Sequence, residues 1–390
     1  MPARKRALAS GDNDAPRAGS RSFHEISMVD RRTVVTGLGV LATSVPSMAA
    51  ETPENRTSAE HGATLIIDGL DCSVPSESYV SKLRAGGVDC MHLSVEDMDG
   101  RGGVHPFVFV HERLDQLRGS MRLARTVRDI YACKRDGQIA LVLGWQGADP
   151  IGTEPGTLRA YFELGLRVLG IAYNTTNRYG SGCLEPSRGL TADGESLVEQ
   201  AHALNMLLDV GGHTGEQTSL DVIARAGGRP VICSHTALTA LNANKRNTSD
   251  RVCTAIAATG GVIGVLCLND YLARNAANAK PAETTPQAPL GVYLDHLDYL
   301  RRLVDVDHVG IGPDFVDGQD LSKPGAWPGD RFTPDMISPG DDILYSEGFQ
   351  SIDQLPNVVA GLRERGWTRI EIRKLLGDNW ARVYRTAWGA

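Results

Sequence analysis

An α/β barrel of eight parallel strands, a (β/α)8 fold, is the architecture this sequence predicts. Three observations carry it. From residue 64 onward, short apolar runs alternate with amphipathic stretches, and there are eight such runs. Most of them are nearly continuous in Val, Ile and Leu, as strands buried on both faces are. The first run is not followed by the glycine-rich fingerprint of a dinucleotide-binding sheet; Asp68-Gly69-Leu70-Asp71-Cys72 stands there instead.

The predicted strands are 64–68 (TLIID), 88–95 (VDCMHLSV), 139–144 (IALVLG), 167–173 (RVLGIAY), 206–210 (MLLDV), 230–234 (PVICS), 261–267 (GVIGVLC) and 308–312 (HVGIG). Helical periodicity falls between them, at 76–85, 113–136, 157–164, 194–204, 218–226, 250–259 and 293–304. Two connections are long, 268–292 and 315–350. Both follow strands, on the face where barrels of this kind build their sites, and loops of that length commonly serve as lids or interfaces. Two further helical patterns, 355–365 and 368–387, close the chain. Residues 64–390 therefore read as one domain.

Side chains able to bind a metal stand just beyond particular strands. His213 follows the fifth (LLDVGGH), His235 the sixth (VICSH) and Asp314 the eighth (GIGPD). A single histidine after a strand is more often structural. Two imidazoles and a carboxylate on one rim make a divalent-metal site. Such a cation polarises a scissile carbonyl and acidifies a water, and Asp314 could take the water's proton as general base.

The chain resembles the membrane (renal-type) dipeptidases, zinc peptidases within the amidohydrolase-like barrels. The segments that carry the resemblance are Leu208-Asp209-Val210-Gly211-Gly212-His213, Val231-Ile232-Cys233-Ser234-His235, Lys245-Arg246-Asn247 and His308-Val309-Gly310-Ile311-Gly312-Pro313-Asp314-Phe315. Ile171-Ala172-Tyr173-Asn174-Thr175-Thr176-Asn177 and Leu376-Gly377-Asp378-Asn379-Trp380-Ala381-Arg382-Val383 match as well, so the likeness runs from about 64 to 388. The resemblance implies a metallodipeptidase. Its His213 and His235 would bind the second zinc, and Asp314 would handle the proton of the attacking water. Arg246 would hold the C-terminal carboxylate of a dipeptide, a task suited to a guanidinium fork. Tyr173 and Asn174 would face the substrate. Read without the resemblance, Arg246 is a surface charge at a helix start. Members often dimerise, so a homodimer is an expectation, with 315–350 as a segment that could cover the partner.

Three ligands depart from the family pattern. The strand-one positions that normally supply His-x-Asp to the first zinc are Leu70 and Cys72, and the bridging glutamate after strand three is Gln146. A neutral amide is a poor bridge between two cations. Strand five also carries an extra glycine, Gly211-Gly212, before His213. One zinc per chain is therefore expected rather than two, with Asp314, Gln146 or Cys72 as third ligand, the last because a thiolate binds zinc well. The expected reaction is metal-dependent hydrolysis of a dipeptide or a dipeptide-like amide. The alternative is a non-catalytic relative that binds a small amino-acid-like ligand.

Composition excludes other classes. The net charge of −7 and the lack of a basic run beyond the first 35 residues argue against a nucleic-acid partner. The seven cysteines, at 72, 90, 133, 183, 233, 253 and 267, form no Cys-x-x-Cys pair, so neither a disulfide scaffold nor a zinc ribbon is expected. No run is apolar for the 18 residues that a stable membrane span needs.

The first 27 residues, rich in Ala, Arg, Ser, Gly and Asp, read as a disordered extension. Within 28–50, Asp30-Arg31-Arg32-Thr33-Val34-Val35 precedes a modest apolar stretch and Pro46-Ser47-Met48-Ala49-Ala50. That order is the pattern of a twin-arginine export signal, with 51–63 as linker, and implies a periplasmic or extracellular enzyme. The cytoplasm is the alternative if the arginine pair is incidental. Replacing Arg31 and Arg32 together by Lys should hold the protein in the cytoplasm, and unchanged fractionation would remove the signal.

Overall fold

The computed structural model describes residues 65–95, 103–152, 154–273, 286–319 and 345–389. The chain divides into two units, Met1–Thr52 and Pro53–Ala390, and every described residue belongs to the second. The expected extension, export signal and linker lie outside the described residues, as do the middles of both long connections. Among the described residues no helix is long and apolar enough to cross a membrane.

The strands are β1 (Ile67–Asp71), β2 (Cys90–Ser94), β3 (Met121–Leu123), β4 (Ile139–Trp145), β5 (Leu166–Gly170), β6 (Leu207–Asp209), β7 (Val231–Thr236), β8 (Ile263–Val265) and β9 (Val309–Ile311). Eight of them form a parallel path in the order β1-β2-β4-β5-β6-β7-β8-β9. The ends of that path are joined beyond the strands themselves. The Asp314 N–H donates to the Leu70 carbonyl at 3.1 Å and the Cys72 N–H to the Phe315 carbonyl at 2.7 Å. The predicted barrel is thus the observed one, and its closure sets Cys72 beside Asp314.

Four of the helices between the strands begin where a side chain caps them. Ser76 caps Glu77–Ala85, Thr191 caps Ala192–Ala203 and Ser249 caps Asp250–Ala258, while Thr126 with Asp129 forms a full capping box before Val127–Arg135. Burial sorts the apolar side chains into two sets. One joins strand residues such as Met91, Leu141, Leu208 and Val309 to helix residues such as Leu83, Val110, Val252 and Leu297. The other gathers Ile67, Cys90, Val142, Val168, Ile232 and Val262 around Trp380 and Tyr384.

Those two aromatics come from the last helix, Asn379–Trp388, which plugs the N-terminal end of the barrel. Asn379 Nδ2 donates to the Val306 carbonyl at 2.7 Å and the Val309 carbonyl at 2.9 Å, and Trp380 Nε1 to the Ile311 carbonyl at 3.2 Å. Glycine is required where the indole meets the strands. A Cβ on Gly69 would lie 2.3 Å from the Trp380 ring, and one on Gly310 would lie 2.6 Å from its Nε1. With that end filled by apolar packing, the inward polar side chains collect toward the opposite rim.

Three expectations are corrected. The first strand is Ile67–Asp71 rather than 64–68. It carries Asp68 and Asp71 fully buried, and buried carboxyls disguise a strand from a reading based on apolar runs. The stretch 113–136 is not one helix. A helix His105–Gln116 ends before Gly119, β3 follows, and the Thr126 capping box starts a second helix. β3 pairs only with the opening residues of β4, before β5 joins at Leu143. The stretch 368–387 is broken by a wide turn at Lys374–Asp378, where Gly377 passes so close to β1 that a Cβ would lie 1.9 Å from the Leu65 carbonyl.

Candidate metal centre

β7 ends in Ser234, His235 and Thr236, all buried, whereas His213 lies four residues beyond β6 on a bend through Gly211 and Gly212. Both glycines have positive φ, 78° and 52°. This turn brings His213 Nε2 to 3.1 Å from His235 Nε2. Two zinc–nitrogen bonds of about 2.0–2.1 Å at the tetrahedral angle would place nitrogens about 3.3 Å apart, so the spacing suits one cation between them. The outer ring nitrogens are held as well. Asn174 Oδ1 lies 2.6 Å from His213 Nδ1, and Ser234 Oγ lies 2.8 Å from His235 Nδ1. Tyr173 stacks on the His213 ring with centroids 4.0 Å apart. Burial, and after it the Arg246 charge, keep the pKa of both histidines well below the ordinary imidazole value. They are therefore neutral, the form that binds a metal.

Asp314 closes the third side. Its Oδ2 lies 3.8 Å from His235 Nε2, and its Oδ1 3.6 Å from Cys72 Sγ. Its backbone has φ of 67°, a conformation that Asp tolerates better than most residues. Burial raises its pKa to about 7, against the pull of Arg246 and of the Cys72 thiol hydrogen bond. A carboxyl that titrates near neutrality can both accept and return a proton.

Arg246 is not the surface charge that a helix-start reading suggests: it is fully buried. Its Nη2 donates to the His235 carbonyl at 3.2 Å, while Nε and Nη1 have no hydrogen-bond partner. The guanidinium lies over the Tyr271 ring, 5.6 Å from the centroid. It also touches the glycine bend, since a Cβ on Gly212 would lie 2.0 Å from Nη1. The extra glycine noted in the sequence is thus the residue that lets His213 and Arg246 share this space.

Leu70, Cys72 and Gln146 occupy the other half of the centre. Leu70 is buried. Gln146 Nε2 donates to Ser94 Oγ at 3.0 Å and to Cys72 Sγ at 3.4 Å, and the thiol reaches on to Asp314. Among the described residues no three His, Cys, Asp or Glu side chains converge tightly enough to hold a metal by themselves. The donor set that fits a cation is the histidine pair, with Asp314 beside it.

Sequence reasoning missed Ser94, His92 and Asp209. Ser94 anchors Gln146, and Asp209 Oδ1 accepts the Ser234 N–H at 2.8 Å, which sets the approach of His235. His92 is fully buried, with Nδ1 2.6 Å from the Gly69 carbonyl and Nε2 without a partner, and burial lowers its pKa to about 4. The available signal was the alternation of Cys90, His92 and Ser94 along one face of β2, concealed inside an otherwise apolar run.

Comparison with known proteins identifies the fold and the family. Among solved structures, an amidohydrolase from Pseudomonas aeruginosa superposes with a TM-score of 0.74 at 25% identity, over 85% of this chain and 99% of that one. The fold is also that of a Rhodobacter sphaeroides metallo peptidase liganded with a phosphinate mimic of the dipeptide L-Ala-D-Ala, with a TM-score of 0.65, 21% identity, and coverage of 83% of this chain and 100% of that one. The fold class is therefore an amidohydrolase-like (β/α)8 barrel. More narrowly, the chain belongs to the membrane dipeptidases: the family described as Membrane dipeptidase (Peptidase family M19) is matched over residues 79–326. An uncharacterized protein in the pqqA 5' region of Klebsiella pneumoniae is 32% identical over 277 residues, 69% of this chain and 90% of that protein. A dipeptidase of Clonostachys rogersoniana is 27% identical over 278 residues, 70% of this chain and 62% of that protein. The family match begins at 79, beyond the strand-one segment that holds Leu70 and Cys72.

The raised carboxyl of Asp314 gives a pH test on metal-free protein. Its pKa moves from 3.8 to about 7 on folding, so across that window the folded state holds a proton that the unfolded chain has released. This contribution to stability is present at low pH and is lost as pH rises through that window. Asp314→Asn should flatten the fall of the urea midpoint between pH 4 and 7. Part of the slope should remain, because Asp71 and Asp209 are also raised, each to about 6. An unchanged slope in the variant would show that Asp314 is ionised throughout.

Proposed function

We propose that this chain hydrolyses the amide bond of dipeptides or dipeptide-like small molecules, using one divalent cation held between His213 and His235. The carrying observation is the convergence of four groups in one buried space. The histidine nitrogens lie 3.1 Å apart, Asp314 lies 3.8 Å from the second of them, and the Arg246 guanidinium has two donor nitrogens without partners. Membership of the membrane dipeptidase family supports the same reaction class.

Each residue has a task in this reading. A divalent cation at the histidine pair supplies Lewis acidity toward the amide carbonyl, and two neutral imidazoles with a carboxylate favour zinc. Asp314, whose carboxylate lies 3.8 Å from His235 Nε2, accepts the proton of the attacking water and returns it to the leaving amine. Arg246 takes the free carboxylate of the substrate through Nε and Nη1. Tyr173, half-buried on the His213 face, forms a wall of the site. The opposite half favours a single cation. The Gln146 amide donates toward Cys72, and a donor hydrogen facing that space opposes a second positive charge.

A specific observation also favours a second reading: among the described residues no three metal-binding side chains form a tight group. On that reading the chain is non-catalytic and holds an amino-acid-like ligand through Arg246. Metal analysis with a dipeptide panel separates the two. The hydrolase reading expects close to one zinc per chain, lost in His213→Ala and in His235→Ala. Asp314→Asn should keep zinc yet lose at least about 10²-fold in rate. Arg246→Ala should lower kcat/KM by roughly 10²-fold on free-carboxylate dipeptides and much less on carboxamide-capped ones. Protein that takes up no zinc from excess, hydrolyses nothing and still binds a dipeptide would decide for the second reading.

A further inference from the structure

Asn174 adjoins the metal centre at a residue pair that the family resemblance assigns to the substrate. Its geometry is that of a support for His213. The residue is fully buried, with φ of 61°. That left-handed turn carries the side chain to His213, where Oδ1 lies 2.6 Å from Nδ1. The backbones are joined too. The Asn174 N–H donates to the His213 carbonyl at 3.2 Å, and the Cys183 N–H donates to the same oxygen at 2.8 Å. The Leu184 N–H returns to the Asn174 carbonyl at 2.9 Å. Cys183 Sγ, a donor because burial pushes its thiol pKa up to about 11, reaches Asn174 Oδ1 at 3.3 Å. Tyr173, the preceding residue, stacks on the His213 ring with the planes only 22° apart.

An amide oxygen has no hydrogen to give. The 2.6 Å contact therefore requires the imidazole proton on Nδ1, and a neutral ring with its proton there has its lone pair on Nε2. That is the nitrogen facing His235. The geometry points to Asn174 as a positioning residue that fixes His213 as the Nδ1–H tautomer and so presents Nε2 for a metal. The left-handed backbone explains the residue type. Only Gly, Asn and Asp occupy such a conformation readily, and of these Asn supplies a neutral acceptor that leaves the buried charge balance unchanged. This role rests on the proposed metal function of His213, but the tautomer itself can be read in metal-free protein.

The variants follow from the backbone. Asn174→Gly keeps the positive φ without strain and removes only the acceptor. Asn174→Asp keeps an acceptor of the same shape and guards against a packing defect in the glycine variant. In metal-free wild type and Asn174→Asp, long-range proton–nitrogen correlation spectra should show His213 as Nδ1–H. In Asn174→Gly the ring should shift toward the Nε2–H form. Zinc affinity, measured by competition with a chromophoric chelator, should fall on the order of 10–100-fold in Asn174→Gly, the range typical of lost support for a ligating histidine. Saturating zinc should then restore turnover with KM little changed. Three results would overturn the assignment: an Nε2–H tautomer in the wild type, an unchanged tautomer in Asn174→Gly, or a rise in KM with zinc affinity intact, which marks a substrate contact instead. Loss of zinc binding in the wild type, with the Nδ1–H tautomer still present and lost in Asn174→Gly, would refute the metal reading while leaving the positioning role of Asn174 in place.

Discussion

A buried guanidinium with two donors lacking partners sets the electrostatics of this rim. Arg246 is fully buried, and two of its three nitrogens have no partner. A buried charge of that kind is costly unless an opposite charge meets it. The field it creates reaches His213, His235, Asp314 and Asp209. It lowers the pKa of His213 and His235, and it opposes the rise that burial imposes on Asp314 and Asp209. Burial does most to keep both imidazoles neutral and to raise the Asp314 carboxyl; the Arg246 charge adds to the first effect and opposes the second. Its two donors without partners lie in a space bounded by Gly212 and Tyr271.

The half of the centre built from strands one, two and four is tied together by hydrogen bonds. Ser94, Gln146, Cys72 and Asp314 form a chain at 3.0, 3.4 and 3.6 Å. Its sulfur contacts are long and individually weak. Their combined effect is geometric, because they hold the Asp314 carboxyl from the side away from His235. Barrel closure contributes to the same end: the hydrogen bonds joining Leu70 to Asp314 and Cys72 to Phe315 are what bring strand one and strand nine together here.

Much of the fold was legible because buried parallel strands advertise themselves. β4 has all seven residues buried and reads as an apolar run, and several helices begin at Ser or Thr caps. β1 was misplaced because Asp68 and Asp71 are buried carboxyls, which apolar periodicity cannot anticipate. β3 was absorbed into a helix because three residues are too few to show a period. At the site, His213 and Asp314 were legible from their places after strands, and His235 from its place near a strand end. Tertiary consequences were not: that Arg246 is buried without a carboxylate, that Gly212 makes room for it, and that Asn174 lies against His213. Each depends on loops meeting across the rim, and no local pattern encodes such a meeting.

Anomalous diffraction at the zinc edge, from crystals of the protein equilibrated with zinc, tests the central claim most directly. One strong peak within bonding distance of His213 Nε2 and His235 Nε2, with Asp314 beside it and no second peak between Gln146 and Cys72, is the predicted result. An empty histidine pair in zinc-saturated crystals, or two peaks of similar height flanking Gln146, would contradict it.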